Sequence, residues 1–225
     1  MKAAARIRVL VVDDDPDVRA AYRAMFARSP EVELVGEVSD GSLAAAAYER
    51  YSPDVVLMDI QMPLVSGIDA TREITTRWRD AVVVASTTFG AREYVVAALR
   101  AGAAGYLLKD AGVNHLTHAL KQAITGEMPL SAAVRRELVS SVVEEKAAVP
   151  PQHDLAPREI ELVEWLAHGL SNAQIAQRMH LSQGSVKQYV ARIGSKLGVV
   201  SRTQILVRSI QLGIVDPLSL PPITG

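Results

Sequence analysis

The residues best suited to chemistry are carboxylates placed at the ends of short apolar runs. Asp13 and Asp14 close the run Val9-Leu10-Val11-Val12, and Asp59 closes Val55-Val56-Leu57-Met58. If these runs are adjacent parallel strands, the three carboxylates meet at one end of a sheet. Like charges that close stay ionised only beside a cation, so the cluster points to a hard divalent metal held by oxygen, with Mg2+ as the candidate ion. Two further runs end in Thr87 and Lys109, adding a hydroxyl and an ammonium to the same rim. Carboxylates, metal, hydroxyl and ammonium together make a phosphoryl-transfer site. In it Asp59 is the nucleophile that becomes an aspartyl phosphate, while metal and Lys109 neutralise charge on the transferred group. A lone aspartate at a strand end is usually a cap. Here four strand ends supply a complementary set, which favours chemistry. Asp15 and Asp17 instead suit the first turn of the following helix, where negative charge complements the dipole.

Positioning such a set needs a sheet. The first 125 residues alternate short β-branched runs with alanine-rich stretches at helical spacing. The runs are Val9–Val12, Val32–Val35, Val55–Met58, Val82–Val84 and Tyr106–Leu108; the helical patterns are Val18–Arg28, Leu43–Arg50, Ala70–Trp78, Tyr94–Arg100 and Leu116–Ile124. Nearly all-apolar strands belong in a parallel sheet covered on both faces. The repeat predicts an α/β fold, a doubly wound five-stranded parallel (βα)5 domain with right-handed crossovers and its site at the strands' C-terminal ends.

Composition bounds the rest. The chain has 225 residues, 49% hydrophobic and 22% charged, which suits two modest globular domains and excludes a disordered or fibrous chain. It has no cysteine, so disulfides, thiolate metal sites and cysteine nucleophiles are excluded, in keeping with a reducing cytosol. The N-terminal apolar run is too short for a signal peptide, and none approaches the roughly 18 residues of a membrane span, so a soluble cytoplasmic protein is expected. The net charge of −1 argues at first against DNA. It divides unevenly: 14 basic against 16 acidic residues over 1–126, 3 against 4 over 127–151, and 7 against 5 over 152–225. Arg178 to Arg208 holds six basic residues and no acid.

After residue 126 the pattern changes. A linker is expected over 127–153, with one helix over Ser131–Val143 and then Pro150-Pro151, which cannot continue it. Residues 154–225 read as an all-α four-helix unit of helix-turn-helix size: Pro157–His168, Asn172–Met179, Gly184–Leu197 and Arg202–Leu212, with Gly169 and Gly198 just past helix ends. On the third of these, Val186, Val190, Ile193 and Leu197 form a buried stripe. Lys187 and Ala191 share the opposite face, with Gln188 and Arg192 beside them, as a major-groove reader requires. Lys187 and Gln188 are the expected base readers, Lys196 and Arg178 phosphate contacts, and Ser185 completes the DNA-facing set. The last helix carries Ile205, Leu206 and Ile210, a dimerisation candidate that would suit inverted half-sites.

Residues 1–126 resemble a CheY-like receiver domain through Asp13-Asp14, Asp59 with Met62-Pro63, Thr87, and Gly105-Tyr106-Leu107-Leu108-Lys109. The resemblance implies that Asp59 accepts phosphate and that Asp13, Asp14, Asp59 and the Gln61 backbone carbonyl hold Mg2+. It also implies that Thr87, with Thr88 beside it, binds the phosphoryl group, that Lys109 pairs with it, and that Tyr106 is the switch aromatic. Residues 152–215 resemble a LuxR-type helix-turn-helix through Pro157-Arg158-Glu159, Gly169-Leu170-Ser171-Asn172, Ile175-Ala176, Val186-Lys187, Lys196-Leu197-Gly198 and Ser201-Arg202. The whole resembles a NarL/FixJ-type two-component response regulator. That implies phosphorylation by a sensor histidine kinase or a small phosphodonor, a homodimer when active, binding to promoter DNA, and no enzyme activity beyond the receiver's own phosphorylation and dephosphorylation.

This chain departs from the pattern in places. Ala156 stands where a capping threonine is usual, which weakens the first helix start by about 0.5–2 kcal/mol unless a neighbour compensates. Gln174 and Tyr189 replace a frequent glutamate and histidine, and Gly194 inside the reading helix costs roughly 1 kcal/mol in propensity. Phe89, two past Thr87, should hinder attacking water and give a phosphate lifetime on the order of minutes. Asp110 stands where many receivers have proline. Two other readings remain open at this point: a regulator that works without phosphorylation, and a Mg2+-dependent phosphatase or transferase on a similar fold.

Overall fold

The computed structural model describes residues 6–88, 92–109, 112–130 and 153–215. Five strands, β1 (Ile7–Val12), β2 (Val32–Val38), β3 (Val55–Asp59), β4 (Val83–Thr87) and β5 (Gly105–Leu108), alternate with α1 (Pro16–Ala27), α2 (Ala44–Tyr51), α3 (Gly67–Arg77), α4 (Arg92–Arg100) and α5 (Val113–Ile124). All pairings are parallel in the order β2-β1-β3-β4-β5. The order reverses between β1 and β3, which opens a crevice at their C-terminal ends, where Asp13 and Asp59 stand.

The two-residue period of the strands sends alternate side chains to opposite layers. Val9, Val11, Val55, Leu57 and Val84 pack under Tyr22, Phe26, Leu116 and Leu120. Leu10, Val12, Val56, Met58 and Val83 pack under Ala44, Ala47, Ala70 and Ile74. Asp15 caps α1 by accepting from the Asp17 N–H at 2.8 Å, with Pro16 opening the helix, as its charge and position predict.

The second unit holds α6 (Pro157–Ala167), α7 (Asn172–Arg178), α8 (Gln183–Leu197) and α9 (Arg202–Gln211). Ser171, Ser182 and Ser201 cap the last three. Ala156 has no capping oxygen, but half of a capping box survives because Glu159 Oε2 accepts from the Ala156 N–H at 2.8 Å. Gly194 has a packing reason: the Val199 N–H donates to its carbonyl at 2.9 Å, and a Cβ there would stand 2.8 Å from the Val199 carbonyl oxygen.

Residues 127–130, the start of the expected linker, lie along the open side of β5. The Tyr106 N–H donates to the Pro129 carbonyl at 3.2 Å, and Leu130 is buried. An edge strand has unpaired backbone groups, and this segment supplies an acceptor for one of them. The expected helix over Ser131–Val143, the Pro150-Pro151 stretch, Phe89 and Asp110 lie outside the described residues.

The residues expected at a dimer interface are covered within this chain. Ile205, Leu206 and Ile210 are 1%, 0% and 0% exposed and offer no free surface. The reason is that α9 is covered on two sides. One apolar cluster runs from Ala85, Val95, Leu99 and Tyr106 to Leu162, Leu166, Ile205 and Ile210. Thr203 Oγ1 donates to the Ala104 carbonyl at 3.3 Å and Gln204 Nε2 to the Arg100 carbonyl at 3.2 Å. Among the described residues, no helix is long and apolar enough to cross a membrane.

Candidate phosphoryl-transfer site and nucleic-acid interface

Ligand atoms of Asp13, Asp14 and Asp59 lie within 4.8 Å of one another at the sheet's C-terminal edge. Asp13 and Asp59 are buried and Asp14 is half-buried. Lys109 reaches over from the end of β5, its Nζ 2.7 Å from Asp13 Oδ2 and 3.2 Å from Asp59 Oδ1. Burial lifts Asp59 to about 6 against the pull of Lys109, with Asp13 adding repulsion. Burial likewise raises Asp13, although Lys109 opposes it. Lys109 itself is raised, because its bonds to the two carboxylates outweigh its own burial. One ammonium therefore does not balance this cluster. Three carboxylates offering only oxygen fit a hard divalent cation.

The backbone around Asp59 is held closely. The Gly67 N–H donates to the Ile60 carbonyl at 3.0 Å, and a Cβ on Gly67 would stand 1.7 Å from the Asp59 carbonyl oxygen. Only glycine permits that approach. Arg19 donates to the carbonyls of Asp13 and Asp14 at 2.6 and 2.9 Å. These two supports were not among the residues read from sequence. A lone glycine downstream of Met62-Pro63 is a faint signal for the first, and nothing local marks the second.

Thr87 and Tyr106 are both 1% exposed. Their side chains are hydrogen-bonded to each other, and burial pushes the Tyr106 phenol up to about 12. Thr88 and Gln61 are exposed on the loops at the same end of the sheet.

On α8, Lys187, Gln188 and Ala191 are exposed, and the Lys187 and Gln188 side chains make no bond among the described residues. Val186 and Ile193, on the other face, are 0% exposed. The remaining candidates have partners within the unit. Arg192 Nε and Lys196 Nζ stand 3.0 and 2.9 Å from the two oxygens of buried Glu159 on α6. Lys196 also donates to the Asp154 carbonyl at 2.7 Å. Burial would raise Glu159, but Lys196, the Ala156 N–H and Arg192 hold it below its ordinary value. Arg178 lies over the Trp165 ring at 5.0 Å. The Ser185 N–H and hydroxyl are both engaged with the α8 cap, Ser182, at 3.0 and 2.9 Å. Sequence reading passed over Glu159 as an anchor, because its partners lie 33 and 37 positions away.

Comparison with known proteins follows the same division. The response regulator receiver domain family matches residues 9–121, and the family of bacterial regulatory proteins called luxR matches residues 153–209. The transcriptional regulatory protein YxjL of Bacillus subtilis is 36% identical over 214 residues, covering 94% of this chain and 98% of its own length. The nitrate/nitrite response regulator protein NarL of Escherichia coli is 32% identical over 200 residues, covering 88% and 93%. The crystal structure of ChrA, the response regulator of a heme-sensing two-component system, is 35% identical with a TM-score of 0.52, covering 94% and 100%. The RcsB–DNA complex, at 21% identity and a TM-score of 0.55 over 92% and 100%, shares the fold.

Proposed function

Because this chain belongs to the two-component response regulators, transcriptional regulators that join a receiver domain to a luxR-type DNA-binding domain, we propose that Asp59 is its phosphoacceptor and that phosphorylation there governs DNA binding by α8. The observation that carries this is the position of Lys109 between Asp13 and Asp59. The three carboxylates, with the Gln61 carbonyl, are the groups that would hold Mg2+, which supplies charge neutralisation when bound.

A carboxylate oxygen of Asp59 attacks phosphorus of a phosphohistidine or an acyl phosphate. The new O–P bond forms as the bond to the donor breaks, and the leaving group departs with that electron pair. Lys109 turns from the carboxylates to the new phosphoryl oxygens. Thr87 moves to hydrogen-bond them, and Tyr106, bonded to Thr87, moves with it. Tyr106 shares the apolar cluster that reaches α9, so its repacking loosens the contacts of Arg100 at the end of α4 and Ala104 just before β5 with Gln204 and Thr203. The freed side of α9 then pairs with a second copy, and two α8 helices read adjacent half-sites of promoter DNA. The protein works in the cytoplasm, where a sensor histidine kinase supplies the phosphoryl group.

The test is labelling by acetyl phosphate with Mg2+. The wild type should take up one phosphoryl group per chain, and Asp59→Asn none. Persistent labelling of Asp59→Asn would remove Asp59 as the acceptor.

A further inference from the structure

Tyr22 of α1 and Ser86 of β4 are both buried, with their hydroxyl oxygens 2.9 Å apart. Ser86 is the register partner of Asp59 across the pairing of β3 with β4. Tyr22 packs in the layer of Val11, Leu57 and Val84. Two residues further along the same strands, on the same face, stand Asp13, Asp59 and Ser86. Ser86 thus stands beside Asp59 on that face, and Tyr22 joins α1 to it.

Buried hydroxyls are costly unless bonded, and two apolar side chains would fill this layer as well. The pair instead makes one side-chain hydrogen bond between α1 and β4, at the strand position beside Asp59. Neither side chain has another hydrogen-bond partner among the described residues. Burial raises the Tyr22 phenol, which therefore keeps its proton, and the charged groups acting on it are Asp13, Lys109 and Asp59.

We propose that the Tyr22–Ser86 pair is a positioning element for phosphoryl transfer at Asp59, tying α1 to the strand beside the acceptor. This rests on Asp59 being the phosphoacceptor. Lys109 approaches Asp13 Oδ2 and Asp59 Oδ1; the hydroxyl pair holds α1 against the strand beside Asp59 when Lys109 turns to the phosphoryl group. Neither residue touches that group.

The experiment compares full-length wild type, Tyr22→Phe, Ser86→Ala and the double variant, with acetyl phosphate and saturating Mg2+. Each single variant orphans one hydroxyl; the double variant orphans none, so stability and rate come apart. Thermal stability should fall in each single variant and recover in the double. The limiting phosphorylation rate should fall about tenfold in all three, with the half-saturating acetyl phosphate concentration unchanged within about twofold. A limiting rate that stays at the wild-type value, or that recovers together with stability in the double variant, would overturn the proposal. Asp59→Asn separates the two levels. If it still labels, or if the wild type does not, the phosphoacceptor reading fails and takes this proposal with it. If the wild type labels at Asp59 and Tyr22→Phe matches its rate, this proposal alone fails.

Discussion

Lys109 Nζ stands closer to Asp13, at 2.7 Å, than to Asp59, at 3.2 Å. In this structure its task is therefore to keep two buried carboxylates tolerable. Lys109→Ala leaves these acids without their cation. Removing one partner of a buried pair costs about 3–5 kcal/mol. Urea unfolding in EDTA should show a loss of that order, and adding Mg2+ should restore more stability to Lys109→Ala than to the wild type. Equal Mg2+ stabilisation of both would show that metal and lysine do not share the same carboxylates.

Asp59 carries a pH signature in the metal-free protein. Its ordinary value is 3.8 and its folded value is about 6. Between these the folded state binds more protons than the unfolded state, so stability falls as pH rises through that window and the full penalty is present above it. Asp59→Asn removes the penalty. At pH 7 in EDTA it should be more stable than the wild type by on the order of 3 kcal/mol, and the difference should vanish below about pH 4. Denaturant curves at the two pH values measure it.

The basic residues of α8 should divide by their partners. Lys187 has none among the described residues, so Lys187→Ala should weaken promoter-fragment binding and reduce the salt slope by about 1. Lys196 is engaged with Glu159 and Asp154. Lys196→Ala should therefore lower the unfolding free energy by about 1–3 kcal/mol, because a buried carboxylate loses a partner. Its effect on the salt slope should be the smaller of the two. Titrating both variants against salt and urea checks the division.

The contact between the two domains is open to a substitution that spares the helix itself. Thr203 lies in the first turn of α9 and is 0% exposed, its hydroxyl on the Ala104 carbonyl. An aspartate there suits the helix dipole but faces a carbonyl oxygen in a dry contact. Thr203→Asp should separate the domains without unfolding either, which small-angle scattering would register as a larger radius of gyration before phosphorylation. An unchanged radius would mean that this contact does not hold the domains together.

The carboxylate site was legible because its information is local. Each strand advertises itself by an apolar run, and Asp13, Asp59, Thr87 and Lys109 sit where those runs end. The exposed face of α8 that carries Lys187, Gln188 and Ala191 was legible for the same reason, through helical spacing. What escaped depends on distant partners. An apolar side of α9 can be read from Ile205, Leu206 and Ile210, but spacing does not say whether a second copy, the helices of its own unit or the receiver covers it. Glu159 reads as one acid among three on α6; its burial between Arg192 and Lys196 is set by how two helices cross. Ala156 reads as a missing cap, and the half of the box that Glu159 retains is visible only in three dimensions.

The central claim is that phosphorylation at Asp59 controls DNA binding by α8. It is tested most directly by measuring promoter-fragment affinity for the wild type and Asp59→Asn, each with and without acetyl phosphate and Mg2+, at one fixed salt concentration. The account predicts that the phosphodonor tightens binding by the wild type about tenfold or more, a coupling of about 1.4 kcal/mol or greater, and leaves Asp59→Asn unchanged. Equal tightening of both proteins, or none in a wild type shown to be phosphorylated, would contradict it.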